Sequence, residues 1–184
     1  MSELTLLSFE LFQERLAELS TEYVARSASL TLENYLRRFV MAEDFTTVVL
    51  GRGVPEGLGA ALEGATEVLV DFSTGGTMDT ATLKLCARAK AGITGLDAII
   101  ADTGTLVIAS KSAGDRVASL VPPVHIALLE GVRMYQSLED YLEDADPTLT
   151  HQFITGPSRT ADIEKKLVLG VHGPVRLILI GPPE

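Results

Sequence analysis

Val175 to Ile180 holds five apolar residues in six, entered through the turn His172-Gly-Pro. A run that apolar reads as a strand covered on both faces. A chain containing such a strand must build layers above and below a sheet, and the remaining pattern supplies them. Thr46 to Leu50 is β-branched and closed by Gly51, and Glu67 to Phe72 reads as a second buried strand. Between the strands lie helical patterns. Phe9, Phe12, Leu16 and Leu19 follow Ser8 at steps of three and four, which predicts a helix capped by Ser8. Leu32 to Ala42 predicts another, with Leu32, Tyr35, Leu36, Phe39 and Val40 inward. Tyr23 and Val24 suit a short edge strand between them. This alternation predicts an α/β fold with three-layer α/β/α architecture.

The middle of the chain changes rhythm. Asp79 or Thr80 caps a predicted helix over Ala81 to Ala89, which Gly92 ends. Ala98 to Ala101 and Thr105 to Ser110 are separated by only Asp102-Thr-Gly, a spacing that suits a hairpin, whereas a parallel pair needs a crossover. The sheet is therefore expected to be mixed and mostly parallel. Lys111 to Arg116 reads as a polar loop leading to a strand at His125. Ser137 caps a helix with Leu138, Tyr141 and Leu142 inward, and His151 to Ile154 gives a further strand. With 184 residues and 46% hydrophobic content, one core is the expectation. The whole of 1–184 is read as a single domain with an N-terminal helical segment over about 1–42.

Charge and cysteine content exclude several classes. A net charge of -10 opposes non-specific attraction to nucleic acid or to an anionic membrane surface. No stretch approaches the run of about eighteen apolar residues that a membrane span needs, and no basic leader precedes an apolar run. A cytoplasmic location is expected. Cys86 is the one cysteine. There is no disulfide framework, and one thiol cannot hold an iron-sulfur cluster that needs four. No cofactor is expected in this chain. Leu83 and Cys86 share an apolar helix face, which makes Cys86 a buried structural thiol. The histidines at 125, 151 and 172 lack the spacing of a helical metal site. His125 opens an apolar strand and reads as a hydrogen-bonded core histidine. No Gly-x-Ser-x-Gly elbow is present for a serine hydrolase.

Candidate site residues come from three places. Gly156-Pro-Ser breaks the chain before a predicted helix containing Asp162, Ile163, Glu164, Leu167 and Val168. A helix start presents free N–H groups and partial positive charge, so Gly156, Ser158, Arg159 and Thr160 form a candidate anion seat. On the alternative reading Ser158 or Thr160 merely caps the helix and Arg159 pairs with Asp162. The turn Asp102, Thr103, Gly104, Thr105 offers a carboxylate and two hydroxyls, either as a turn that bonds its own backbone or as ligand contacts and a base. Arg116, in the polar loop, is either a solvated charge or a carboxylate clamp. Ser73-Thr-Gly-Gly-Thr follows the second strand and can reach the sheet edge where ligands collect in α/β folds. Gly51-Arg-Gly-Val-Pro-Glu-Gly lacks the dinucleotide and P-loop patterns and reads as a turn.

Three segments, GITGLDAIIADTGTLVIAS, RVASLVPPVHIALLEG and GPSRTADIEKKLVLGVHGP, occur in this order. Together they resemble the lactate-utilisation protein C family, which carries the LUD domain, over about Ala91 to Ile180. The resemblance implies one α/β domain related in fold to the sugar-isomerase and CoA-transferase group. It implies a role in oxidising L-lactate to pyruvate alongside iron-sulfur partner proteins. Joined to the candidate site, the first expectation is an accessory subunit without its own redox centre that binds a small carboxylate or other anion, or a partner surface, at a cleft. The candidates are Asp102, Glu164 and His172 for chemistry, with Thr103, Gly104, Thr105, Arg116, Gly156, Ser158, Arg159 and Thr160 for binding. A second expectation is a stand-alone enzyme or binding domain for an acyl or phosphorylated metabolite. Asp102 or Glu164 would then be the reacting carboxylate, as in CoA-transferases of related fold.

Overall fold

The computed structural model describes residues 3–76, 78–112, 114–161, 167–169 and 173–183, with side chains over 7–76, 78–112, 114–159 and 173–182. In chain order the elements are α1 (Glu3–Glu18), β1 (Glu22–Arg26), α2 (Leu32–Ala42), β2 (Thr47–Leu50), α3 (Leu58–Ala61), β3 (Glu67–Asp71), α4 (Thr80–Cys86) and β4 (Ala91–Gly95). They continue with β5 (Ala98–Ile100), β6 (Thr105–Ser110), α5 (Gly114–Leu120), β7 (Val124–Leu128), β8 (Arg133–Tyr135), α6 (Leu138–Asp144), β9 (Thr150–Ile154), β10 (Arg159–Ala161), β11 (Leu167–Leu169) and β12 (Arg176–Pro183).

The α/β architecture is present, with a central parallel sheet in the order β1-β12-β7-β4-β2-β3. Its middle strands β7, β4 and β12 are covered on both sides, as their apolar runs require. Alternate residues along them serve two cores. Val124, Ile126, Ile178 and Ile180 meet Leu32, Leu36 and Val40 of α2 and Leu58 of α3 on one face. Ala127, Leu177 and Leu179 meet Phe12 and Leu16 of α1 on the other, where Val49 also packs on Cys86 of α4 and Ala118 of α5. The predicted hairpin of β5 and β6 forms, antiparallel, but in a second sheet ordered β8-β5-β6-β9. The mixed character expected of one sheet is thus divided between two. Cys86 is fully buried, and burial raises its thiol pKa.

Several local expectations change. α2 begins and ends where its apolar spacing ends, and Thr31 accepts from the Asn34 N–H as its cap. α1, by contrast, starts before Ser8, whose hydroxyl donates to Gln136 Oε1 at 2.8 Å. β3 is an edge strand and only half-buried. α4 is capped by Asp79 but stops at Cys86, and Gly92 lies inside strand β4. The polar loop at Lys111 gives way to helix α5 from Gly114, so Arg116 is helical. Leu138 and Leu142, expected inward, are exposed, and only Tyr141 of α6 is buried. The helix expected after Ser158 is replaced, within the described residues, by strand β10 paired antiparallel with β11: Arg159 with Leu169, Thr160 with Val168 and Ala161 with Leu167. A short apolar run such as Leu-Val-Leu satisfies either period, and here the strand pairing prevails.

Arg176, at the start of β12, joins three elements. Its Nε and Nη2 donate to the Glu22 carboxylate on β1, the latter at 2.6 Å, while Nη1 donates to Glu43 at the end of α2. The guanidinium holds the Glu22 carboxyl below its usual range. Arg176→Ala is expected to cost about 1 kcal/mol in urea unfolding, with a smaller loss in high salt, because these groups are partly exposed and screened.

Candidate functional site

Ligands in open α/β sheets collect outside the carboxyl ends of the strands, where successive crossovers leave in opposite directions. This sheet reverses at β2. The chain leaves β2 through α3 on one face to reach β3 on one side, then returns through α4 on the opposite face to β4 on the other side. The crevice between the ends of β2 and β4 is therefore where the topology opens the sheet.

Small residues let the chain close over that crevice. Gly51 lies against Thr94 Cγ2 and Ala118 Cβ, where a β-carbon would approach to 2.8 and 2.9 Å. Gly53, at a φ of 76°, packs backbone to backbone on Gly95, and a β-carbon on Gly95 would overlap the Gly53 carbonyl. Hydrogen bonds from Gly51 N to Ile93 O (2.8 Å) and from Gly95 N to Arg52 O (2.9 Å) fix the two strand ends together. Arg52 is thereby held at the crevice. Its Nη1 donates to both Asp97 oxygens, at 2.9 and 2.8 Å, and to the Ala109 carbonyl. Asp97 is also claimed by the Ala109 N–H at 2.8 Å.

Beside Arg52 lies a cleft of about 330 Å³ lined by Phe72, Ser73, Gly75, Lys111 and Asp115 among others. The Ser73 loop, read from sequence as reaching the ligand edge, does form one wall. It is held by Asp71, whose Oδ1 accepts the Ser73 N–H at 2.8 Å. Asp115 is buried, and its Oδ2 accepts the N–H groups of Lys111 (3.1 Å) and Ser112 (3.0 Å). Two carboxylates are thus committed to the walls. Among the described residues the Lys111 ammonium makes no salt bridge, although its charge reaches the Asp146 carboxylate and helps to hold it low, and the Nε and Nη2 of Arg52 carry no hydrogen bond. The cleft therefore presents spare cationic donors to a small polar guest.

The residues nominated from sequence gather elsewhere. Asp102, Gly104, Gly156 and Arg159 surround the end of α1. The Asp102 carbonyl accepts from Arg15 Nε at 3.1 Å, Gly104 packs on Arg15 and Leu19, Gly156 on Leu19, and Arg159 Nη2 donates to the Leu19 carbonyl. Thr103, Thr105 and Thr155 form a hydroxyl chain with spacings of 2.9 and 2.8 Å. The Ser158 N–H donates to the Pro174 carbonyl at 2.8 Å. Arg116 is apart from all of these, at the far end of β6, donating to Ser110 Oγ at 2.8 Å. Glu164, His172 and the Thr160 side chain lie outside the described residues. The structure does not bring Arg116 and Arg159 to one cleft. Arg52 and Asp97, neither of them nominated, meet instead. The available signal was an arginine between two glycines directly after a strand.

His125 is a core histidine, as its apolar setting predicts. It is fully buried, its Nε2 lies 2.8 Å from Thr94 Oγ1, and its Nδ1 has no hydrogen-bond partner among the described residues. Burial lowers its pKa from 6.5 to about 3, so the ring is neutral.

Comparison with known proteins gives a consistent picture. An uncharacterized protein of Neisseria meningitidis serogroup B is 38% identical over 109 residues, covering 56% of this chain and 46% of that protein. Proteins named Lactate utilization protein C are 37% identical over 107 residues in Macrococcus caseolyticus and 36% over 106 in Bacillus subtilis, each covering 53% of this chain. Those matches cover 46% and 44% of the two relatives, so the chain spans about half their length. A crystal structure of a DUF162 family protein from Deinococcus radiodurans shares the fold, with a TM-score of 0.67 at 22% identity over 95% of this chain and 96% of that one. The model of the LUD domain matches residues 10–180, nearly the whole length, and the chain belongs to the LUD domain family.

Proposed function

We propose that this chain is an accessory component of a lactate-utilisation system, without an iron-sulfur centre of its own, that holds a small carboxylate or similar anion between Lys111 and Arg52. The names of the relatives support the lactate role. Oxidation of L-lactate to pyruvate releases two electrons and two protons, which require an acceptor. The single buried thiol of Cys86 leaves four-thiolate clusters to iron-sulfur partner proteins.

The observation that carries the anion reading is the cleft at the reversal of the sheet. Its carboxylates are bonded into the walls, while Lys111 remains without a salt bridge. A guest carboxylate placed there gains a charge-assisted bond to Lys111 and finds the outer edge of the Arg52 guanidinium. Titration calorimetry with L-lactate, pyruvate and inorganic phosphate tests this. Lys111→Ala is expected to weaken the anion that binds by roughly ten- to a hundred-fold, the worth of one charge-assisted bond, without moving the melting temperature. Equal affinity for the native chain and the variant would refute the assignment, as would no binding of any of the three anions.

A further inference from the structure

In the second sheet, α6 and β9 expose an apolar surface. Leu138, Leu142 and Phe153 are 38%, 54% and 42% exposed. Between α6 and β9 opens a separate cleft of about 270 Å³, lined by Ile100, Thr103, Thr105, Leu138, Phe153 and Thr155. The three threonine hydroxyls on its wall bond one another, which leaves little demand for a polar guest. An apolar side chain suits it.

The rim of this surface is mainly acidic, and the Arg133 cation at its edge is paired with Asp144. Residues 134–158 contain five acidic residues and no lysine or arginine. Three of the acids have local partners: Asp140 closes the capping box with Ser137, Asp144 pairs with Arg133, and Asp146 accepts from Thr148. Glu139 and Glu143 are exposed and form no salt bridge among the described residues. They stand four residues apart on α6, one position round from Leu138 and Leu142, also four apart. An apolar stripe thus runs beside an acidic stripe along one helix.

We propose that this face docks a basic amphipathic segment of a partner protein, with an apolar side chain entering the cleft and lysines or arginines meeting Glu139 and Glu143. Charge complementarity selects this occupant. An anionic membrane would be repelled. A second copy meeting the same face about a two-fold axis would set acid against acid. The inference stands independently of the anion cleft.

Fluorescence anisotropy with a labelled synthetic helix, bearing leucines four apart beside lysines four apart, tests it. The native chain is expected to bind this peptide. Leu142→Ser, and separately the double variant Glu139→Lys with Glu143→Lys, are each expected to weaken it roughly ten-fold while keeping the native melting temperature. A peptide with serines in place of the leucines should bind as poorly. The proposal is overturned if the native chain ignores the peptide, if the serine peptide binds equally well, or if both variants bind like the native chain. Concentration-dependent dimerisation abolished by Leu142→Ser would equally overturn it, by assigning the face to self-association.

Discussion

Gly92→Ala is expected to remove about 3 kcal/mol or more of stability and to lower the melting temperature by roughly 10 °C, the largest effect of a methyl group added at any of the described glycines. Gly92 sits in the middle of β4, the strand between β2 and β7, and α5 crosses directly over it. A β-carbon there would fall inside the Ala118 carbonyl oxygen, with the Ala118 backbone on every near side. Backbone cannot swing away as a side-chain tip can, so α5 must lift. That movement would open the buried contacts of Ala118 and Val117 with Val49 and Phe72. Gly57→Ala separates this cause from the general cost of losing a glycine. Gly57 has a φ of 77° and open space around it, so only the backbone penalty of about 1 kcal/mol applies. Thermal melts of the two variants should differ accordingly, and equal shifts would show that the helix adapts.

Acid should destabilise the fold before its carboxylates titrate, and His125 is the reason. The folded-state pKa of about 3 lies below the ordinary 6.5, so the folded chain refuses a proton that the unfolded chain accepts. The contribution is complete above pH 6.5 and is lost progressively as pH falls from 6.5 toward 3. The slope approaches about 1.4 kcal/mol per pH unit, and the total reaches about 4 to 5 kcal/mol. The Glu22, Asp79 and Asp146 carboxyls, held low by Arg176, by the Thr82 N–H and by Thr148 respectively, add their losses at lower pH. Urea unfolding between pH 7 and 5 isolates the histidine. The native chain should weaken across that interval, and His125→Gln, which can still bond Thr94 but does not titrate, should be nearly flat. A native chain of constant stability there would mean the buried ring takes up its proton without penalty.

What was legible in the sequence follows from how local each signal is. α2 is read to its ends because Leu32, Leu36 and Val40 mark one face at helical spacing; its Thr31 cap is added by the structure. The β5–β6 hairpin is read because its turn is too short for a crossover. β4 is missed because Ala91-Gly-Ile-Thr-Gly has glycines where a strand ordinarily carries side chains. Those glycines answer to Ala118 and Gly53, residues remote in sequence. The helix expected beyond Ser158 fails because the short Leu167 to Leu169 run fits two periods, and pairing with β10 decides between them.

The family resemblance is borne out, and so is the α/β architecture with its mostly parallel sheet. The cleft is another matter. Arg52, Asp97 and Lys111 become neighbours only once the strand order places β4 beside β2, and no spacing within the chain states that order.

The central claim is that the Lys111 cleft serves lactate utilisation. It is tested most directly by deleting the gene and measuring pyruvate formed from L-lactate in cell extract that retains the other components. The account predicts that lactate-dependent pyruvate formation falls on deletion, returns when the native chain is added, and returns weakly or not at all with Lys111→Ala. Full lactate oxidation without the chain would contradict the lactate role, and full rescue by Lys111→Ala would contradict the cleft.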